Sequence, residues 1–346
     1  MSKSIQPGSL MKAEIDEQPA VFDRILSDGA PEVALVARRI AAASPRFVLM
    51  AARGTSDHAA LYLKYLVEIV LGLPCGLASP STVTAYGATP DLRDVLWVAA
   101  SQSGGSPDLL ESTRAAERAG ALTLAVTNAP GSPLGQAAQL HLDIRAGAER
   151  AVAATKTYTA TLLTLWLLVE SWRGGDGGAG RQLPDLAQRV VDEPAVEEVA
   201  DRFRFVDKVV VTGRGYAYPT AREAALKLME TSYLAAHAFS GADLLHGPLA
   251  MIDEDRPVVA VTPHGVAGTA MEPVLARLAE RGADVTLVGD AAHGSAGIVV
   301  PVPRTAEELS PLLEIIPLQR LAHTMAVARH HDPDAPRGLA KVTRTL

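Results

Sequence analysis

The sequence predicts an α/β protein made of two tandem domains, each a parallel sheet flanked by helices. Three observations carry this. The chain has 346 residues, which at roughly 100–200 residues per domain allows about two. Runs such as Val48-Leu-Met-Ala-Ala52, Leu96-Trp-Val-Ala-Ala100 and Pro257-Val-Val-Ala-Val-Thr262 are apolar throughout, as strands buried on both faces must be, and longer helical patterns separate them. The halves also share a plan. Phe47-Val-Leu-Met-Ala-Ala-Arg-Gly54 parallels Lys208-Val-Val-Val-Thr-Gly-Arg-Gly215, and the helix-then-strand pattern around Gly120 returns around Gly282. The spacings, 161 and 162 residues, indicate an internal duplication.

Taken in order, residues 1–45 read as a helical segment whose start has no apolar signal core. Residues 46–172 form the first domain, with strands at Phe47, Leu96 and Leu122 and a helix over Leu110–Gly120. The greasiest run, Leu162-Leu-Thr-Leu-Trp-Leu-Leu-Val169, is far short of the roughly 20 residues that span a bilayer and reads as a buried helix. Five glycines and a proline between Trp172 and Pro184 argue against a stable helix or strand, so 173–195 is expected to be a linker. Residues 196–346 form the second domain and a C-terminal tail.

Apolar residues make up 48% and charged residues 21%, the balance of a globular chain. The net charge of −7 excludes a wholly basic nucleic-acid-binding protein, so neither nucleic acid nor membrane is an expected partner. The single Cys75 rules out an intrachain disulfide and any cysteine metal cluster, and fits an expected cytoplasmic location.

In parallel α/β folds ligands sit beyond the carboxyl ends of the strands. There the sequence places Arg53-Gly-Thr-Ser-Asp-His58 and Ser101-Gln-Ser-Gly-Gly-Ser-Pro-Asp108. Glycines let backbone approach an anion, and Ser/Thr hydroxyls and helix-start amides donate to it. Helix capping explains either turn alone. Two at successive strand ends, one with Ser101, Gln102, Ser103 and Ser106 as donors, favour a ligand. Gly-x-x-x-x-Gly-Lys-Ser/Thr and Gly-x-Gly-x-x-Gly are both absent from these turns, which leaves a small phosphorylated molecule.

These segments resemble the sugar isomerase (SIS) family, most of all the isomerase module of glucosamine-6-phosphate synthases and the related amino-sugar phosphate deaminases. Met11-Lys-Ala-Glu-Ile-Asp-Glu-Gln-Pro19, Arg53-Gly-Thr-Ser56, Ser101-Gln-Ser-Gly104, Val126-Thr-Asn-Ala-Pro-Gly-Ser132, Val152-Ala-Ala-Thr-Lys156, Gly213-Arg-Gly215, Glu223-Ala-Ala-Leu-Lys-Leu-Met-Glu230, His246-Gly-Pro-Leu249 and Pro336-Arg-Gly-Leu-Ala-Lys341 follow in the family's order. The resemblance implies two tandem SIS domains, each flavodoxin-like and doubly wound. It implies that Thr55, Ser56, Ser101, Gln102, Ser103 and Ser106 hold a sugar phosphate, with Val152 and Ala340 lining the sugar through backbone contacts. By the same resemblance Glu230 is the base that moves a proton between C1 and C2, and His246 assists ring opening. Lys227 and Lys341 stabilise or position the open-chain sugar. A homodimer follows, with His246 donated across the interface. No cofactor and no metal is implied.

The residue types suit the chemistry, because one carboxylate can take and return the proton on a single face. A nearby cation stabilises the developing oxyanion. Two departures point to a retuned sugar end: Ala154 stands where the synthase has serine, and Asp243-Leu-Leu-His246 replaces its Glu-Leu-Lys-His. With no glutaminase domain in the sequence, glutamine-dependent synthesis is not expected. The expected reaction is glucosamine 6-phosphate plus water to fructose 6-phosphate plus ammonia. Galactosamine-6-phosphate deamination, deglycation of a phosphorylated fructosamine and non-catalytic sugar-phosphate sensing are the alternatives.

Overall fold

Strands that are apolar on both faces need helices on both faces, and parallel neighbours need crossovers. The computed structural model, which describes residues 6–254, 256–290 and 297–342, meets both demands twice. The chain opens with α1 (Ser9–Asp16) and α2 (Gln18–Arg24), then α3 (Ala30–Ala43). The first sheet follows as β1 (Phe47–Ala51), α4 (Thr55–Leu66), β2 (Cys75–Leu77), α5 (Ser81–Thr84), β3 (Val95–Ser101), α6 (Pro107–Arg118), β4 (Leu122–Thr127), α7 (Pro133–Ala137) and β5 (Leu140–Asp143). Next come α8 (Lys156–Trp172), α9 (Leu183–Val191) and α10 (Ala195–Arg202). The second sheet is β6 (Lys208–Gly213), α11 (Ala217–Ser232), β7 (Ala235–Ser240), α12 (Gly241–Leu245), β8 (Pro257–Thr262), α13 (Val266–Thr269), α14 (Glu272–Glu280), β9 (Asp284–Gly289) and β10 (Ile298–Pro301), closed by α15 (Ser310–Ala328).

The sheet orders are β2-β1-β3-β4-β5 and β10-β9-β8-β6-β7, with every described pairing parallel. Read from opposite edges they are one topology used twice, as the internal repeat requires. The apolar run Leu162–Val169 lies in α8, where it is wholly buried and packs on α3 and α4. Among the described residues no helix is long and apolar enough to cross a membrane.

By packing, the described chain forms two units. One holds the first sheet and comprises Ala20–Glu149, Lys156–Arg181 and the chain from Ala340. The other holds the second sheet and comprises the chain up to Pro19, Arg150–Thr155 and Gln182–Leu339. Trp97, Leu109, Ala116, Ala125 and Leu134 centre one core; Val210, Leu244, Val258, Met271, Leu278 and Leu287 centre the other. The glycine-rich stretch does not continue to residue 195 as irregular chain. After Gly180, Leu183, Leu186, Ala187 and Val190 recur at helical spacing and bury as one face of α9, which packs on α15. Pro184 sits in its first turn, where a missing N–H costs nothing.

Residues 150–155 are tied into the second-sheet unit by polar contacts. Buried Glu14 accepts the N–H groups of Arg150 and Ala151. Gln319 donates to the carbonyl of Thr155 (3.2 Å) and accepts from Gln18 (2.9 Å). Asp334 in turn accepts the N–H groups of Leu10 and Met11 at the start of α1 (3.0 and 2.7 Å). Four exposed backbone donors at a helix start need such partners, and an anion is the favoured one.

Among the described residues one buried carboxylate has none of this support. Glu314 in α15 is 1% exposed, and neither carboxyl oxygen has a hydrogen-bond partner. Burial pushes its pKa up to about 8; the nearby Ser310 hydroxyl only partly opposes this, and Glu307 adds like-charge repulsion. The folded chain therefore prefers neutral Glu314, whereas the unfolded chain ionises it above the ordinary carboxylate range. Stability should fall as pH rises from about 4.5 to about 8, by a few kcal/mol in all, and then level off. Urea denaturation at a series of pH values should show Glu314→Gln lacking that decline relative to the unsubstituted chain; parallel profiles would remove the explanation.

Candidate functional site

The first-sheet unit builds two donor-rich turns at the carboxyl ends of β1 and β3. Gly54 takes φ 55° and ψ −130°, a bend closed to residues with a Cβ, and so turns the chain from β1 into α4 at Thr55 and Ser56. After β3, Gly104 is left-handed (φ 59°), and a Cβ there would lie 2.1 Å from the Ser132 hydroxyl. The Ser101 hydroxyl accepts from the N–H of Gly104 (3.2 Å) and that of Ser103 from Gly105 (3.3 Å). Each oxygen serves the turn while its hydrogen can still donate outward. Ser106 is the N-cap of α6, yet its side chain makes no capping hydrogen bond. Capping alone thus fails to account for this turn. The Gln102 carbonyl accepts from Asn128 N–H (3.0 Å), joining the turn to the end of β4. Arg53 reaches buried Asp108 at 2.9 Å and links the two turns.

The equivalent turn of the second sheet is filled from within. Glu307 accepts the N–H groups of Val266 and Ala267 after β8 (2.8 and 2.7 Å). A Cβ on Gly265 would lie 2.3 Å from its carboxylate. The chain's own anion occupies donors that the first sheet leaves to its hydroxyl-rich turn.

In the second-sheet unit, α11 carries a buried charge triad. Lys227 is wholly buried, with its ammonium 3.3 Å from Glu223 and 2.5 Å from Glu230. Glu223 is as buried as the lysine, whereas the Glu230 side chain is 21% exposed. Glu230 therefore has a charged partner on its inner side and solvent on its outer side. Burial pushes the Lys227 pKa down, but the two carboxylates together outweigh it and hold the group above the ordinary lysine range. The spacing i, i+4 and i+3 puts all three on one helix face, a signal present in the sequence although Glu223 was not singled out from it.

The other expected residues divide between the units. Val152 lies in the second-sheet unit with its N–H donating to the carbonyl of Asp334 (3.0 Å), so a backbone contact from it to a ligand falls to its carbonyl. His246 is exposed and ends α12. Ala340, also exposed, and Lys341 belong with the first-sheet unit, where the Lys341 ammonium meets Glu149 at 2.7 Å. Glu149, like Glu223, is a functional candidate that sequence reasoning missed, and nothing local to it signals the pairing. Among the described residues no His/Cys/Asp/Glu group is arranged to hold a metal ion.

Removing one member of a buried ion group strands the others. Lys227→Met should cost about 3–5 kcal/mol in urea denaturation, and adding Glu223→Gln should restore part of it. A cost below about 1 kcal/mol would mean that the triad is not the buried, mutually dependent group described.

The SIS domain family matches residues 43–171 and 203–297. The glutamine–fructose-6-phosphate aminotransferase of Gloeobacter violaceus is 36% identical over 96% of this chain and 58% of its own length. That of Methanothermobacter thermautotrophicus is 37% identical over 96% and 56%. The chain thus spans little more than half the length of these curated relatives. A solved structure from Silicibacter pomeroyi, provisionally described as a phosphosugar isomerase, is 34% identical with a TM-score of 0.87, covering 94% of this chain and 99% of that one. The glucosamine-6-phosphate deaminase of Thermotoga maritima, 21% identical, shares the fold at a TM-score of 0.80 over 97% of this chain and 100% of its own.

Proposed function

The chain belongs to the SIS-domain family, and from that premise we propose that it is an amino-sugar phosphate deaminase converting glucosamine 6-phosphate and water into fructose 6-phosphate and ammonia. The observation that carries this reading is Glu230, a carboxylate held by a wholly buried lysine on one side and open on the other. Such a group is fixed in place yet able to reach a substrate, as a general base must be.

In this reading Thr55, Ser56, Ser101, Gln102, Ser103 and Ser106 hold the phosphate. His246 assists ring opening by returning the O1 proton to O5. Glu230 then removes the proton from C2 and delivers it to C1 of the resulting enolamine, while a proton passes from the amine nitrogen to O1. The product is a C2 imine, and water adds to its carbon and expels ammonia. Lys227 is too deeply buried to meet the sugar directly, so its part is to hold Glu230. Ala154, and Leu245 before His246, support a sugar end that differs from the synthase's. A cytoplasmic location belongs to the same reading.

Two experiments test it. Ammonia release should be seen with glucosamine 6-phosphate, and galactosamine 6-phosphate run beside it reads the preference at C4. Glu230→Gln should keep sugar-phosphate binding by calorimetry while turnover falls at least ~100-fold; undiminished turnover in that variant would sink the assignment of the base.

The reading includes a homodimer in which the partner's His246 completes each site, supported by the exposure of His246 at the end of α12. Inactive Glu230→Gln and His246→Ala chains, unfolded and refolded together, should regain about a quarter of full activity, because half the dimers are mixed and each has one intact site. No recovery from a mixture shown to contain mixed dimers would place His246 in its own subunit's site.

A further inference from the structure

Outside the Glu223–Lys227–Glu230 group, a second buried carboxylate meets a site lysine. The Glu149 side chain is wholly buried. Both its oxygens are engaged by the first turn of α8: Oε1 accepts the N–H of Thr157 (3.0 Å) and Oε2 accepts its hydroxyl (2.7 Å). The start of a helix is the favoured place for an anion, and α8 is itself buried through most of its length. Glu149 is therefore fixed to a rigid element. The same Oε2 accepts from the Lys341 ammonium at 2.7 Å. Lys341 comes from the opposite kind of environment, because Leu339, Ala340 and Val342 around it are all exposed.

We propose that Glu149 is a positioning residue that anchors the C-terminal tail to α8 and so presents the Lys341 ammonium in one place. An exposed tail cannot by itself hold a long lysine side chain in a single geometry, and a catalytic or binding cation displaced by about 1 Å loses much of its effect. The pair converts a flexible cation into a fixed one. The consequence for the reaction rests on the proposed function and on Lys341 positioning the open-chain sugar, as the family resemblance implies; the anchoring itself does not.

The test separates the two. Lysine acylation of the whole chain with acetic anhydride, followed by mass spectrometry of the peptides, reads how accessible Lys341 is without using activity. Glu149→Gln should raise the labelling rate of Lys341 at least ~3-fold, with exposed Lys12 unchanged as the internal control; an unchanged Lys341 rate would overturn the anchoring. If Glu149→Gln does not yield folded protein, Thr157→Val, which removes one bond to the carboxylate, should raise the rate in the same direction by less, and no rise there would likewise overturn it. For the reaction, Glu149→Gln should lower kcat for ammonia release with little change in KM, and the double variant with Lys341→Met should be no slower than Lys341→Met alone. Additive losses would make Glu149 merely structural. Full activity in Lys341→Met would instead remove Lys341 from the reaction and leave the labelling result standing.

Discussion

Parallel pairing is the constraint from which the rest follows. Neighbouring parallel strands run the same way, so each pair needs a crossover that carries the chain back, and a helix is the compact way to supply it. Helices then cover both faces of the sheet, and strands with Val, Ala and Leu on both faces become the stable choice. All strand-to-helix turns are gathered at one end of the sheet. In the first-sheet unit that end carries Thr55, Ser56 and the Ser101–Ser106 turn, brought together although about 46 residues separate their starts.

Duplication preserved this topology but not the chemistry at its open end. After β3 the chain offers serine hydroxyls and a left-handed glycine. After β8 the equivalent backbone donors are already satisfied by Glu307. A backbone N–H committed to a fixed internal carboxylate is not available to an incoming phosphate unless that carboxylate leaves. One fold can therefore keep a hydroxyl-rich turn in one copy and a turn closed by an internal carboxylate in the other.

The second theme is how buried charge is handled. Asp108, Glu14, Glu149 and the Glu223–Lys227 pair all have charged or backbone partners, in line with the cost of leaving an ion unpaired away from water. Glu314 is the exception and responds in the other available way, by remaining protonated. Glu230 differs from all of these because it is paired on one side only. Its outer side is open, which the role proposed for it requires of the group.

The alternation of apolar runs with helical patterns, the repeat linking Phe47 to Lys208 and the hydroxyl-rich turns were legible in the sequence, because strand burial and turn chemistry leave local traces. The α11 group was partly legible: Lys227 and Glu230 stood out, and Glu223 lay one helical turn away at a spacing that implies contact. Other features left no local trace. Glu149 and Lys341 are 192 positions apart, and only folding brings them within 2.7 Å. The complete burial of Lys227 and the closure of the β8 turn by Glu307 likewise depend on what packs against them, whereas the helix after Gly180 did leave a trace, in the helical spacing of Leu183, Leu186, Ala187 and Val190. Residue type and periodicity determine which elements form and which chemistry they carry. The partner of each buried charge is decided by tertiary structure, because that choice depends on contacts between segments distant in the chain.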